Sequence, residues 1–232
     1  MTQLESVRCM GTALSFEEAV HARHAVRAFR PDPVPRSLIE HVFALAGRAP
    51  SNCNTQPWLS VVFTGESCER LRRVFMGGLA SGNMSMDFPY TGSYDGVYRE
   101  RQYAAADALY SAMGIERGDR EARARAFARN FAFFDAPHVA FVFIPDWAGV
   151  REAADAGMYA QTLMLGLAAY GIGSCPQTAL SFLCDAVRAE ASIDPSWRLL
   201  FGISFGYEDI DEPANSCRLG RAGLAGSVHF VE

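Results

Sequence analysis

The chain has 232 residues, 50% of them apolar and 20% charged, enough to bury an ordinary core in one domain and too apolar for a disordered or coiled-coil chain. Its 21 basic residues stand against 26 acidic ones, and the net charge of −5 gives no global field for nucleic acid or an anionic membrane. All 21 are arginine, which excludes Schiff-base chemistry, a pyridoxal phosphate anchor, a Walker A lysine and a Ser-x-x-Lys acylation site.

In chain order, residues 1–14 show no apolar core behind a basic start, so no signal peptide is expected and a cytoplasmic protein with reduced thiols is. Ser15 to Glu18 form a capping-box pattern, opening a helix expected to run toward Phe29 and to end at Pro31. A second helix is predicted from about Ser37, with Leu38, Ile39, Val42, Phe43 and Ala46 at helical spacing, stopping before Pro50. The polar loop at 49–58 feeds a strand at 59–64, and an arginine-bearing helix follows at about 66–75.

Residues 76–98 are rich in glycine and polar side chains and read as a surface excursion. Two helices are expected near 99–113 and 120–131, then a buried strand at 138–145. Tyr90, Tyr94, Tyr98, Tyr103 and Tyr110 fall in or beside this insert, either packing it against the body or walling a lid over a planar substrate. Residues 156–184 carry no charge and are long enough to cross a bilayer, but Gly157, Gly166, Gly171, Gly173 and Pro176 interrupt them. The expectation is a central buried helix at about 153–170, a close-packed loop, and a smaller helix at 181–190, with no membrane contact. A last strand is predicted at 198–205 before an irregular tail. No repeat or linker divides the chain, so 1–232 reads as one mixed α/β or α+β layered domain with an inserted lid-like segment at about 76–130.

The six cysteines, Cys9, Cys53, Cys68, Cys175, Cys184 and Cys217, form no Cys-x-x-Cys pair and no cluster with histidine, so no structural metal is expected. His21 and His24 lack a third ligand nearby. Gly202 to Gly206 match the Gly-x-Ser-x-Gly nucleophile elbow, with Asp209, Asp211 and His229 following in hydrolase order. The elbow needs a helix directly after Ser204, whereas residues 207–213 read as turn and loop and only 28 residues remain. Gly171-Ile172-Gly173 lacks the third glycine of a dinucleotide fingerprint and ends a helix instead of opening one.

Arg23 and Arg27 lie four apart, on one face of the expected first helix, with His24 beside them. By itself this is a solvated basic face. Together with the loop Ala-Pro-Ser-Asn-Cys-Asn-Thr-Gln-Pro-Trp at 49–58, the Gly-Ile-Gly-Ser-Cys-Pro-Gln-Thr segment at 171–178 and the Gly-Tyr…Asn…Arg-x-x-Arg-x-x-Leu tail at 206–224, it resembles the flavin-dependent nitroreductase family. The motifs run in the family's order over nearly the whole chain, and the Pro-Trp loop is the most specific.

The resemblance implies an α+β layered fold, a central mainly antiparallel sheet flanked by helices, in an intertwined homodimer with FMN at its interface. It implies a cofactor site of Arg23, His24, Ala25 and Arg27, with Arg218 and Arg221 from the tail; Arg23, Arg27 and Arg221 would take the phosphate and ribityl end. Pro50, Ser51 and Asn52 would meet the ring from the partner subunit, Asn54 and Gln56 would hold that loop, and Asn130 would approach the pyrimidine edge. Pro176, Gln177 and Thr178 would lie near the flavin N5. Ala25 stands where the family often has serine, which implies one hydrogen bond fewer to the cofactor. Tyr94, Tyr98, Phe133 and Phe134 are candidates for the substrate pocket, the two phenylalanines being equally suited to a plain core.

No side chain need act as a nucleophile. The implied activity takes hydride from NADH or NADPH and reduces a nitroaromatic, quinone or related small aromatic acceptor by ping-pong kinetics. The same site also suits reductive dehalogenation, oxidation of a natural-product scaffold, or flavin carriage without turnover.

Overall fold

The computed structural model describes residues 13–232, so Cys9 and most of the stretch read for a leader lie outside the described residues. Four strands, β1 (Leu59–Thr64), β2 (His138–Pro145), β3 (Gly173–Gln177) and β4 (Trp197–Gly206), form one antiparallel sheet in the order β1-β2-β4-β3. Central β2 is buried along almost its whole length, as its run of Val, Phe and Ile demands.

Alternate residues of β2 enter two different cores. Ala140, Val142 and Ile144 meet α2 (Arg36–Ala46) and α6 (Val150–Ala169), while Val139, Phe141 and Phe143 face a cluster with α3 (Gly65–Ser81) and α7 (Cys184–Ala191). The layers are therefore helix, sheet, helix, the α+β architecture expected. α1 (Phe16–Ala22) opens with the capping box: Glu18 N–H donates to Ser15 Oγ at 3.3 Å, and Ser15 N–H to Glu18 Oε2 at 2.8 Å.

Three expectations need correction. The first helix stops at Ala22 instead of reaching Phe29, and the following segment is extended. Main-chain partners elsewhere win over helix propensity there: Val26 N–H donates to Ser174 O at 3.1 Å, Arg30 N–H to Tyr207 O at 2.8 Å, and Asp209 N–H to Ala28 O at 3.1 Å. Residues 173–177, expected as loop, are the edge strand β3. Pro176 is tolerated because an edge strand need not donate on its outer side, and a Cβ on Gly173 would come within 2.8 Å of Val26 Cγ2, so glycine admits the extended segment.

The third correction concerns the start of the insert. Met76 to Ser81 continue α3 to a left-handed cap at Gly82, φ +70°, and Gly78 lies where a Cβ would come within 2.6 Å of Leu183. Close packing on Leu183 thus overrides the poor helix propensity of the Gly77–Gly78 pair. α4 (Gly96–Ala112) and α5 (Arg120–Ala128) follow and bury no residue completely. Tyr90 meets Phe182 at 5.5 Å between ring centroids, tying the insert to the body. Among the described residues no helix is long and apolar enough to cross a membrane.

Candidate functional site

The extended segment after α1 runs along the outer edge of β3, where Ala25 bridges Ser174. Period-two alternation buries Val26 and Ala28 and leaves Arg23, Ala25 and Arg27 half-buried in one row. Both guanidinium groups act on Cys175 of β3: burial pushes its thiol up to about 11, while Arg27 and then Arg23 pull the other way. Among the described residues neither arginine has a carboxylate partner. Two partly desolvated forks without a counter-charge form a receptor for a dianion such as a phosphate monoester.

The row is held from behind. Asn215, 2% exposed, accepts from Arg27 N–H at 2.6 Å and donates to Ala28 O and Asp209 O, both at 2.8 Å. His24 points away from the arginines, its Nε2 2.9 Å from Glu208 Oε1 and its Nδ1 2.9 Å from Ala22 O. Arg218 folds back onto Asn215 O and Cys217 O, and Arg221 onto Leu219 O and Gly220 O. Arg221 lines a groove with Arg101.

The loop at 50–56 projects from the body, with Pro50, Asn52, Asn54 and Gln56 exposed. Cys53, Asn54 and Gln56 adopt left-handed φ of 51°, 57° and 47°, conformations that persist only where the surroundings impose them. The restraints are Gln56 N–H to Ser51 Oγ at 2.9 Å, Gln56 Nε2 to Asn54 O at 3.2 Å, and Asn52 N–H to the Asp155 carboxylate at 3.0 Å. One helical turn beyond Asp155, Tyr159 stacks on Trp58 at 4.9 Å and accepts from Ser60 Oγ at 2.9 Å. Gln56 thus bonds within the loop, whereas Asn54 contributes its main-chain carbonyl and, among the described residues, no side-chain hydrogen bond.

At the end of β3 Pro176 is exposed and Gln177 faces inward, and Thr178, the first residue of the turn that follows, is exposed. Gln177 Nε2 donates to Asn130 O at 3.0 Å and Asn130 Oδ1 at 3.2 Å, and its Oε1 accepts from Ser204 Oγ at 2.5 Å. The Gln177 side chain thus spans between β4 and the end of the insert, and Ser204 is a fully buried strand residue with no nucleophile elbow around it, in keeping with the sequence argument against a hydrolase. Asn130, Arg27 and Phe134 border one cavity of about 70 Å³. Phe133 is sealed in the core against Phe75 at 5.1 Å, which removes it from the substrate candidates, and Tyr94 and Tyr98 are exposed on the insert.

Asp155, Glu208 and Tyr159 escaped the sequence reading. Asp155 carried a usable signal, as the last charge before the uncharged 156–184 stretch. Glu208 and Tyr159 carried none, because their partners His24 and Trp58 are distant in sequence.

The Nitroreductase family model matches residues 20–207. Nitroreductase NfnB of Mycolicibacterium smegmatis is 44% identical over 219 residues, 94% of this chain and 93% of that protein. A 4-nitrobenzoate reductase of Pseudomonas putida is 36% identical, covering 93% of this chain and 95% of its own. The crystal structure of FMN-dependent NfnB from Mycobacterium smegmatis in complex with NADPH superposes with a TM-score of 0.90 over 93% of this chain and 97% of that one. An FMN- and NADPH-dependent NfnB from a Sphigopyxis strain gives 0.90 at 32% identity, over 94% and 100%.

Proposed function

The chain belongs to the nitroreductase family, and on that premise we propose that it is an FMN-dependent oxidoreductase reducing nitroaromatic and related small aromatic or quinone acceptors with NAD(P)H. The carrying observation is the half-buried Arg23–Arg27 row, without carboxylate partners among the described residues, a donor set that fits the phosphate of FMN.

When bound, FMN supplies the redox chemistry, accepting hydride from NAD(P)H and delivering reducing equivalents to the acceptor. The protein's part is binding, orientation and exclusion of water. Arg23 and Arg27 would hold the phosphate, Asn130 borders the same cavity as Arg27, and exposed Pro176 at the end of β3 and Thr178 just beyond it would face the ring, the Thr178 hydroxyl offering a hydrogen-bond donor. The strained, outward loop at 50–56 is shaped to meet the ring bound by a second copy, which makes the working unit a homodimer with shared sites. The insert through α4 and α5 lies over the Arg27–Asn130 cavity as a lid. One pocket serves nucleotide and acceptor in turn, giving ping-pong kinetics, and the enzyme works in the cytoplasm with its thiols reduced.

A visible spectrum of the purified protein, before and after addition of FMN, tests the cofactor. Anaerobic NADPH or NADH should then bleach the flavin, and 4-nitrobenzoate should restore it. A protein that takes up no FMN, or holds FMN that neither nucleotide reduces, overturns the proposal.

A further inference from the structure

Asn215 stands buried in the short turn Pro213–Ser216, directly behind Arg27. Its Oδ1 accepts from Arg27 N–H at 2.6 Å, and its Nδ2 donates to Ala28 O and Asp209 O, both at 2.8 Å. Only this orientation of the amide suits one donor and two acceptors. An asparagine amide has the donor, the acceptor and the planarity of a peptide group, and here it pairs with two successive residues of an extended segment. One residue earlier, Val26 N–H turns the other way and donates to Ser174 O of β3 at 3.1 Å. Asn215 thus extends, by one side chain, the antiparallel pairing that Phe29 makes with Glu208.

The turn that carries this amide is itself fixed. Asn215 N–H donates to Glu212 O at 2.9 Å, Ser216 Oγ donates to Pro213 O at 2.8 Å, and the Arg218 guanidinium donates to Asn215 O. α4 packs against the turn, and Ala214 borders the cavity of about 70 Å³ that Arg27 also borders. Among the described residues Arg27 N–H has no partner besides Asn215, whereas Ala28 O also accepts from Asp209 N–H at 3.1 Å. Loss of the amide therefore releases the main chain at Arg27 first.

We propose that Asn215 is a positioning residue of the phosphate receptor, fixing the main chain at Arg27 so that its guanidinium is aimed before the phosphate arrives. The proposal rests on the reading of Arg23 and Arg27 as the FMN phosphate site. Asn215 spends its hydrogen bonds on main chain and acts through Arg27 alone. A guanidinium binds a phosphate through paired N–H groups whose strength depends on angle, so a shift at its own main chain is felt at the far end of the side chain. Riboflavin lacks the phosphate and is blind to that shift.

The test titrates flavin-free protein with FMN and with riboflavin, read by flavin fluorescence, for the wild type, Asn215→Ala, Arg27→Ala and the double variant. The wild type should prefer FMN by about 100-fold, roughly tenfold for each arginine. Asn215→Ala should lower that preference by about tenfold and leave riboflavin affinity within about twofold. In the Arg27→Ala background the same substitution should change the preference by less than about twofold, because the side chain it acts through is gone. An undiminished FMN preference in Asn215→Ala, equal losses for both flavins, or an equal effect without the Arg27 side chain overturns the positioning role. A wild type that binds both flavins equally overturns the phosphate reading itself, and the role of Asn215 with it. Should Asn215→Ala not fold, hydrogen exchange of the wild type decides: FMN should slow exchange at 25–30 and 212–216 together and riboflavin at neither, and protection confined to 25–30 overturns the role.

Discussion

The main-chain N–H of Asn52 donates to Oδ2 of Asp155 at 3.0 Å, so a carboxylate 5% exposed on α6 fixes the root of the exposed loop at 50–56. Asp155 forms no ion pair among the described residues, and its value lies in this hydrogen bond. Asp155→Ala should cost about 1–3 kcal/mol of stability and should raise KM for the aromatic acceptor. Asp155→Asn, which keeps an acceptor oxygen, should recover most of both. Denaturant unfolding and steady-state kinetics on the three proteins check this, and equal loss in both variants would count against a positioning role.

Arg23→Ala and Arg27→Ala should each weaken FMN binding by roughly 10- to 100-fold, the range for a charge-assisted hydrogen bond of about 1.5–3 kcal/mol. Flavin content after dialysis, read from the visible spectrum, is the measurement. Full retention in both variants would mean that the phosphate sits elsewhere.

Gln177→Leu removes the partner of the fully buried Ser204 hydroxyl and both donors to Asn130. An unsatisfied buried hydroxyl predicts a loss of about 1–3 kcal/mol. The double variant Gln177→Leu, Ser204→Ala should be less destabilised than the single one, because the orphaned group is gone. Thermal unfolding of both proteins decides it, and a double variant at or below the single one would refute the network.

His138 sets a pH dependence. It stacks on Phe205 at 5.2 Å, its Nε2 accepts from Val34 N–H at 2.9 Å, and burial pushes it down from 6.5 to about 4. Between those values the unfolded chain holds a proton that the folded one does not, so stability falls as pH falls through that window. The loss is roughly 3 kcal/mol in all, and above about pH 6.5 the contribution is constant. His138→Gln keeps an acceptor for Val34 and should flatten the stability profile between about pH 7 and pH 5. An unchanged slope would trace the dependence to other groups.

Elements whose own side chains decide their environment were legible from sequence. β1 and β2 fall on the residues that alternation and apolar runs indicated, and the central helix follows from its uncharged stretch. Elements decided by distant partners were not. The helix after Ser15 ends early because Ser174, Tyr207 and Asn215 take up the main chain that follows, and none of these is near it in sequence. The arginine row was still anticipated, because positions four apart share a face in a helix and in an extended strand alike. At Gln177 the period-two alternation of β3 reversed the side chain's direction, which a loop reading could not anticipate.

Phe133, Phe134 and Asp135 take left-handed φ of 58°, 53° and 65°, in a turn gripped by Arg72 through Ala132 O at 2.9 Å and Ala136 O at 2.5 Å. The turn sends adjacent phenylalanines into different clusters, Phe133 toward Phe75 and Phe141, Phe134 toward Val26 and Cys175 beneath the arginine row. A single peptide bond therefore acts as a lever between α3 and the phosphate receptor. Repacking around Phe75 would shift the platform under Arg23 and Arg27 without touching either, so core variants on the α3 side belong among those that alter flavin retention.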